Sequence, residues 1–242
     1  MFDKTLGIVL GSVQYNDHTQ FIHIYTEKFG KVTYKTSIRH TKRLSTQKMM
    51  FSPMTLLDLD VIHTESEELQ KIKESAILSS PLLFGNNDPL KYSQCLFMAE
   101  LIDRSIREVE QNKLLWDYIY NSLEFFSMTE GVSPDFHILF TAKLCIPLGF
   151  GIDESVYESG MLFDMNEGCF TADKIYHPYY LNSISAEYLY RLLKSNYTNL
   201  SLLNYSKTER NIMLDILISY LKLHIPEIGE LKSLDVLKEL SE

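Results

Sequence analysis

Seven basic side chains crowd the stretch from Lys28 to Lys48: Lys28, Lys31, Lys35, Arg39, Lys42, Arg43 and Lys48. Side chains of this length and sign suit contact with phosphates rather than bond-breaking chemistry. Residues 1–50 hold eight basic and three acidic residues, a net +5 inside a chain of net −9, which leaves −14 on residues 51–242. A uniformly acidic protein repels nucleic acid everywhere, whereas a chain with one basic end can bind a polyanion there. In an extended strand Lys31 and Lys35 are four apart and share a face, while Tyr34 points to the other. The loop that follows, Ser37 to Lys48, has side chains long enough to reach successive phosphates, and Ser37, Thr41, Ser45 and Thr46 can add neutral hydrogen bonds. About three to five such contacts would give a salt slope of roughly −2 to −4 on a single strand. A solvated basic loop without any ligand has the same composition.

Residues for catalysis are poorly arranged. There is no phosphate-cradling Gly-rich loop ending in Lys-Ser/Thr, no His-Glu-x-x-His, and no dinucleotide fingerprint. Asp17-His18 and His63-Thr-Glu65 are acid–base neighbours, but Asp17 and His18, being adjacent, would face opposite sides of a strand, and no third partner is evident for either pair. Asp58 and Asp60 share a strand face and could serve a metal-assisted nuclease, or simply decorate an exposed edge. His177 and His224 fall near a turn and a helix end, where a cation is favoured. Cys95, Cys145 and Cys169 are sparse and odd in number, which suits a reducing cytoplasm and argues against a disulfide framework. Their spacing lacks a paired Cys-x-x-Cys, so no metal centre is expected. The reading is of a protein that is not an enzyme and needs no cofactor.

The elements that must position the basic run are strands. Leu6, Ile8 and Leu10 begin the first; Phe21 to Tyr25 form the second. A tight turn at Phe29-Gly30 leads into Lys31–Ile38, with Gly30 supplying the positive φ such turns often need. Leu57 to Ile62 and Leu69 to Leu78 give a fourth and a fifth. Five short antiparallel strands in about eighty residues are enough for a small closed barrel of the oligonucleotide-binding type. After Pro81 the period changes. Met98, Ile102, Ile106 and Val109 share one helical face, and Leu115, Ile119, Leu123 and Phe126 share another. Further helices are expected from Pro134 to Leu148, behind Ser185, from Ser206 to His224, and from Lys232 to Leu240, with an irregular region at 150–183 that can hold a small hairpin around Met161–Phe170. The fold class is therefore α+β: a barrel domain at 1–80 and a mainly helical domain at 81–242. Its 45% hydrophobic and 23% charged composition excludes wholesale disorder. The first residues read as a strand rather than a signal peptide, and no run of about eighteen apolar residues predicts a membrane span. The aromatic residues of 112–127 read as core.

Three stretches resemble the bacterial DNA repair RecO family over almost the whole chain. They are Gly7-Ile-Val-Leu through Ile24-Tyr-Thr-Glu-Lys-Phe-Gly-Lys31 with Ile38-Arg-His-Thr-Lys-Arg43; Ala99-Glu-Leu-Ile-Asp-Arg104 with Glu108 and Glu110; and Leu223 through Ser233 with Val236-Leu237. Ile225-Pro226 and Leu231-Lys-Ser233 resemble the Bacteroidetes-type version. The resemblance implies a non-enzymatic recombination mediator in the cytoplasm, associated with the nucleoid. Such a protein binds single- and double-stranded DNA, anneals complementary strands and, with RecR, helps load RecA onto strands coated by single-strand-binding protein. By position, Lys28, Lys31, Lys35, Arg39, Lys42 and Arg43 take the DNA-binding part. The helical domain would receive the C-terminal tail of single-strand-binding protein, for which Lys143 and Arg210 are the candidates; Asp135 stands where relatives can show arginine. Many members carry a four-cysteine zinc module; here Gly149–Thr171 holds only Cys169, with Cys145 just before it. Packing around Val156, Tyr157, Met161, Leu162 and Phe163 would have to replace the metal. The rival reading is an adaptor of the same architecture that binds proteins and leaves DNA to its partner.

Overall fold

Alternation of apolar and polar residues makes five strands, and their apolar faces meet inside a closed barrel. A computed structural model describes residues 2–38, 44–64, 67–82, 88–106, 110–129 and 133–240 of the protein. The strands are β1 (Phe2–Asn16), β2 (Thr19–Thr26), β3 (Gly30–Ser37), β4 (Leu56–Ile62) and β5 (Leu69–Ser79), hydrogen-bonded in the order β1-β2-β3-β5-β4 and closed. Ile22 and Ile24 of β2, Val32 and Tyr34 of β3, and Leu57, Leu59 and Val61 of β4 point inward with Val9, and Phe51 packs against them. Gly7 lies where β1 passes from pairing with β4 to pairing with β2. A Cβ there would sit 2.6 Å from Ile24 Cγ2 and 2.7 Å from Leu59 Cδ1, so no larger residue fits without displacing the core. Gly30 takes φ 63° at the start of β3, as its turn requires.

The expectation of uniformly antiparallel pairing fails at one seam. β3 and β5 run parallel, through Thr33↔Leu69, Tyr34↔Gln70 and Lys35↔Lys71. The reason is topological: a closed ring with an odd number of strands cannot alternate direction all the way round. A short helix, α1 (Leu44–Met50), also stands where the sequence reads as loop. It is tied back to β3 by Gln47 Nε2, which donates to the Ser37 carbonyl at 2.8 Å.

The chain divides into two compact units, 1–130 and 131–242. The first includes α2 (Pro89–Ser105) and α3 (Lys113–Met128) together with the barrel, although both lie beyond residue 80. Asp88 caps α2 by accepting from the Leu90 and Lys91 amides, with Pro89 in the first turn; Asn112 caps α3 through the Leu115 amide.

The second unit is built around α4 (Phe136–Leu144), which is apolar on nearly every side and buried along most of its length. Around it are a three-stranded sheet of β6 (Leu162–Asp164), β7 (Cys169–Thr171) and β8 (Tyr180–Leu181), and the helices α5 (Ser183–Leu193), α6 (Lys207–His224) and α7 (Ser233–Leu240). The expected hairpin at 161–170 is present as β6–β7. Ser206 caps α6 in a reciprocal box with Glu209. Ser133 and Ser185 do not act as helix caps. Asp135 and Asn182 occupy those positions, and Ser133 Oγ accepts from the Asp135 amide.

Candidate nucleic-acid interface

The outer face of the β2–β3 hairpin carries the basic side chains. Register fixes which residues share it: Phe21 opposite Lys35, His23 opposite Thr33, and Tyr25 opposite Lys31, while the intervening pairs Ile22–Tyr34 and Ile24–Val32 face the core. One end of this outer face is covered by helices. Trp116 of α3 lies against Tyr25 with ring centroids 5.9 Å apart, and the Tyr25 hydroxyl donates to the Asn112 carbonyl at 3.3 Å. Burial pushes that phenol up to about 12. Lys31 sits at the same covered end. Its Nζ donates to the Asp103 carbonyl at 2.6 Å and lies 3.5 Å from Asp103 Oδ1, with the side chain 27% exposed. Much of its charge is thus engaged within the protein, although the sequence pairs it with Lys35.

The other end is open. Lys35 is exposed, and the parallel seam sets it directly beside exposed Lys71 of β5. Neither joins an ion pair among the described residues. Lys71 was not singled out in the sequence. Its alternation with Gln70 and Ile72 marks it as outward-facing, but its neighbour on β3 depends on a register that no local pattern encodes. Lys28 is exposed in the β2–β3 turn, which is pinned to β1 through its amide and Thr5 Oγ1 at 3.2 Å. Lys48 is exposed in the last turn of α1. Arg39, Lys42 and Arg43, with Thr41, lie outside the described residues. Elsewhere on the barrel's outer surface the charge is mixed: Asp60 faces Glu74 across β4–β5 and Lys4 across β1–β4, Asp58 is exposed on the same strand, and Lys73 of β5 is exposed. Lys4 Nζ stands 3.7 Å from Asp60 Oδ1.

Asp17 and His18 lie in the β1–β2 turn; His63 stacks on Phe29 at 4.1 Å, and Glu65 lies outside the described residues. No cluster of three or more His, Cys, Asp or Glu among the described residues is arranged to hold a metal ion, Asp58 and Asp60 included.

In the second unit the two candidate partner-binding cations both have internal partners. Lys143 is half-buried, and its Nζ donates to the Ser195 carbonyl at 2.8 Å; burial lowers its pKa. Arg210 is 5% exposed, its Nε donating to Asp135 Oδ1 at 2.7 Å and its Nη2 to the Tyr205 carbonyl at 3.1 Å. Burial raises the Asp135 carboxyl, and the hydrogen bond and charge of Arg210 draw it part of the way back. On the same helix, burial and then the Arg210 charge push the His137 imidazole down to about 3, so it is neutral at pH 7. Asp135 therefore serves as the buried counter-ion of Arg210.

The residues at 150–183 do not fit a structural zinc. Cys145 is buried and donates its thiol to the Thr141 carbonyl, and Cys169 lies in β7, so the cysteines fall short of four. No group of three or more His, Cys, Asp or Glu among the described residues is placed to complete a site. Aromatic rings fill the region instead. Phe163 packs on Phe170 at 5.1 Å and on Tyr220 at 5.8 Å, and Tyr157 stacks on Tyr190 at 4.0 Å. Of the five residues expected to replace the metal, Phe163 is fully buried, whereas Val156 is exposed. Tyr190 and Tyr220 lie outside Gly149–Thr171 and so could not be named from that stretch, whereas Phe170 lies within it, at the end of the expected hairpin. His177 Nε2 pairs with Asp164 Oδ2 at 3.1 Å, and His224, the last residue of α6, stacks on Phe150 and bonds the Met165 carbonyl.

A closed five-stranded barrel with an open basic strip, continued by helices, defines a protein of the oligonucleotide-binding-barrel class with a helical extension. Family models described as "Recombination protein O N terminal" and "Recombination protein O C terminal" match residues 1–81 and 86–235. Relatives named "DNA repair protein RecO" include one from Azobacteroides pseudotrichonymphae, 33% identical over 98% of both chains. Others from Bacteroides fragilis and Phocaeicola vulgatus are 33% and 31% identical over 99% of both chains. The chain belongs to the recombination protein O family. Among the described residues no helix is long and apolar enough to cross a membrane.

Proposed function

We propose that this protein is a non-catalytic DNA repair and recombination mediator. It binds single- and double-stranded DNA on the barrel, anneals complementary strands, and with RecR helps load RecA onto strands coated by single-strand-binding protein. The observation that carries the DNA-binding step is the exposed Lys35–Lys71 pair on the outer face, neither of which joins an ion pair among the described residues. The family membership and the relatives' names support the repair role. Two strands placed on the lysine strip would have their phosphate repulsion partly offset, which is what annealing requires. Lys28 and Lys48, and beyond them Arg39, Lys42 and Arg43, would extend the strip. Protein partners, including the tail of single-strand-binding protein, fall to the helical part, whose excess acid keeps it off DNA.

The net −9 charge favours one rival, an adaptor that contacts proteins while a partner holds the DNA. Fluorescence anisotropy with a labelled single strand, with and without RecR, separates the two. Direct binding that weakens at least tenfold in Lys35→Glu/Lys71→Glu, with an unchanged melting temperature, supports the mediator. Binding seen only with RecR, or indifferent to the double reversal, supports the adaptor.

A further inference from the structure

We infer that the open end of the barrel's outer face recognises single strands by stacking unpaired bases on Tyr15 and Phe21, while Lys35 and Lys71 hold the adjoining phosphates; this rests on the DNA-binding reading above. Four strands contribute to one continuous cross-strand row, Val13↔Phe21↔Lys35↔Lys71. A second row lies beside it, Gly11↔His23↔Thr33↔Leu69. Directly paired residues project to the same side of a sheet, so these eight positions form one surface. Its β1–β2 half is apolar and aromatic; its β3–β5 half is basic.

The aromatic half is open at Val13 and Tyr15, with Phe21 half-buried beside them. Val13 is 56% exposed and Tyr15 is 69% exposed, and a Cβ built on Gly11 meets nothing within 4 Å. Tyr15 is the extra residue of a bulge between Gln14 and Asn16, and its ring reaches Phe21, with centroids 5.3 Å apart at 47°. A bulge re-aims a side chain in this way at sheet ends. The covered end of the same face shows the contrast, since there Trp116 occupies Tyr25 and Asp103 occupies Lys31.

The order of residues selects the occupant. Strands in a sheet are about 4.8 Å apart, so Phe21 and Lys71 lie roughly 10 Å apart with Lys35 between them. A strand crossing this row can place bases over the rings and its backbone along the lysines. Aromatic stacking tolerates any base, because every base has a π-face. A duplex keeps its bases stacked on one another and can use only the lysines. An acidic peptide would meet the lysines but gain little from open rings that lack a pocket. The surface therefore suits single-stranded nucleic acid and supplies a preference over duplex that the basic run alone does not.

Three labelled probes test this by anisotropy at one salt concentration: a 20-mer of thymidylate, an abasic 20-mer with the same phosphates, and a hairpin duplex. Wild-type protein is expected to bind the thymidylate strand about tenfold tighter than the abasic one. Tyr15→Ala/Phe21→Leu is expected to bind both single strands at the abasic level, with duplex affinity and salt slope unchanged. Leucine keeps apolar bulk at position 21, and Tyr15→Ala alone, at an exposed site, should give about half the effect on a logarithmic scale if the double variant folds poorly. Lys35→Gln/Lys71→Gln should weaken all three probes and reduce the single-strand salt slope by about 1.4. If the aromatic variants keep the full base dependence, or lose duplex binding in parallel, the stacking assignment is overturned while the DNA reading stands. If wild-type protein binds none of the probes, both fall.

Discussion

Arg210→Met tests the second unit most sharply, because it removes one member of a buried ion pair and strands the other. Arg210 and Asp135 side chains are 5% and 6% exposed and meet at 2.7 Å. Without the guanidinium, the Asp135 carboxylate must stay desolvated or take up a proton, and the Tyr205 carbonyl loses its donor. Removing one partner of such a pair typically costs about 3–5 kcal/mol. That is a large share of the roughly 5–15 kcal/mol that holds a typical domain. Asp135→Leu should cost a similar amount. The double variant Asp135→Leu/Arg210→Met should recover at least about 2 kcal/mol of the summed loss, since no charge then remains buried without its partner. Urea unfolding followed by far-UV circular dichroism reports the helices concerned, whereas Trp116, the chain's single tryptophan, lies in the first unit. An Arg210→Met variant within about 1 kcal/mol of wild type, or strictly additive singles, would refute the reasoning. The result also bears on function. A loss of partner binding in Arg210→Ala would reflect a damaged core, and the double variant is the control that separates the two.

Three further outcomes are expected. His137, held near 3 in the folded state against an ordinary 6.5, stays neutral while the unfolded chain takes up a proton, so stability is full above pH 6.5 and falls on acidification toward pH 3. By pH 5 the loss is about 2 kcal/mol, and His137→Gln should remove that part of the slope; an unchanged slope in the variant would count against it. Lys31→Met should cost about 1 kcal/mol of stability through the lost bond to Asp103 and change the DNA salt slope less than Lys35→Met does. Equal slope changes with no loss of stability would show Lys31 to be an ordinary phosphate contact. Chelation with EDTA should leave the urea midpoint of the second unit unmoved, whereas Phe163→Ala should cost about 3–5 kcal/mol. A midpoint that falls on chelation would contradict the aromatic packing account.

Much of this was legible from local pattern, and the rest was not for identifiable reasons. Alternation marked the first and fourth strands, an apolar run the second, and Phe29-Gly30 the turn into the third, because these signals lie within a few residues. The opposition of Tyr34 to Lys35 followed from alternation alone. The parallel β3–β5 seam could not be read, because it depends on ring closure between segments more than thirty residues apart. With it went the Lys35–Lys71 pairing. Lys31 looked equivalent to Lys35 on the strand; what distinguishes them is Asp103, some seventy residues away. Arg210 and Lys143 were chosen by charge, yet their roles are set by burial and by Asp135 and Ser195. Helix α1 escaped notice because seven residues are too few to show a period.

The most direct test of the central claim is the affinity of wild-type protein for a labelled single strand, without RecR, measured across a range of salt concentrations. The account predicts direct binding whose log–log salt slope lies between roughly −2 and −4, corresponding to about three to five phosphate contacts. No binding at low salt, or a slope near zero, would contradict it.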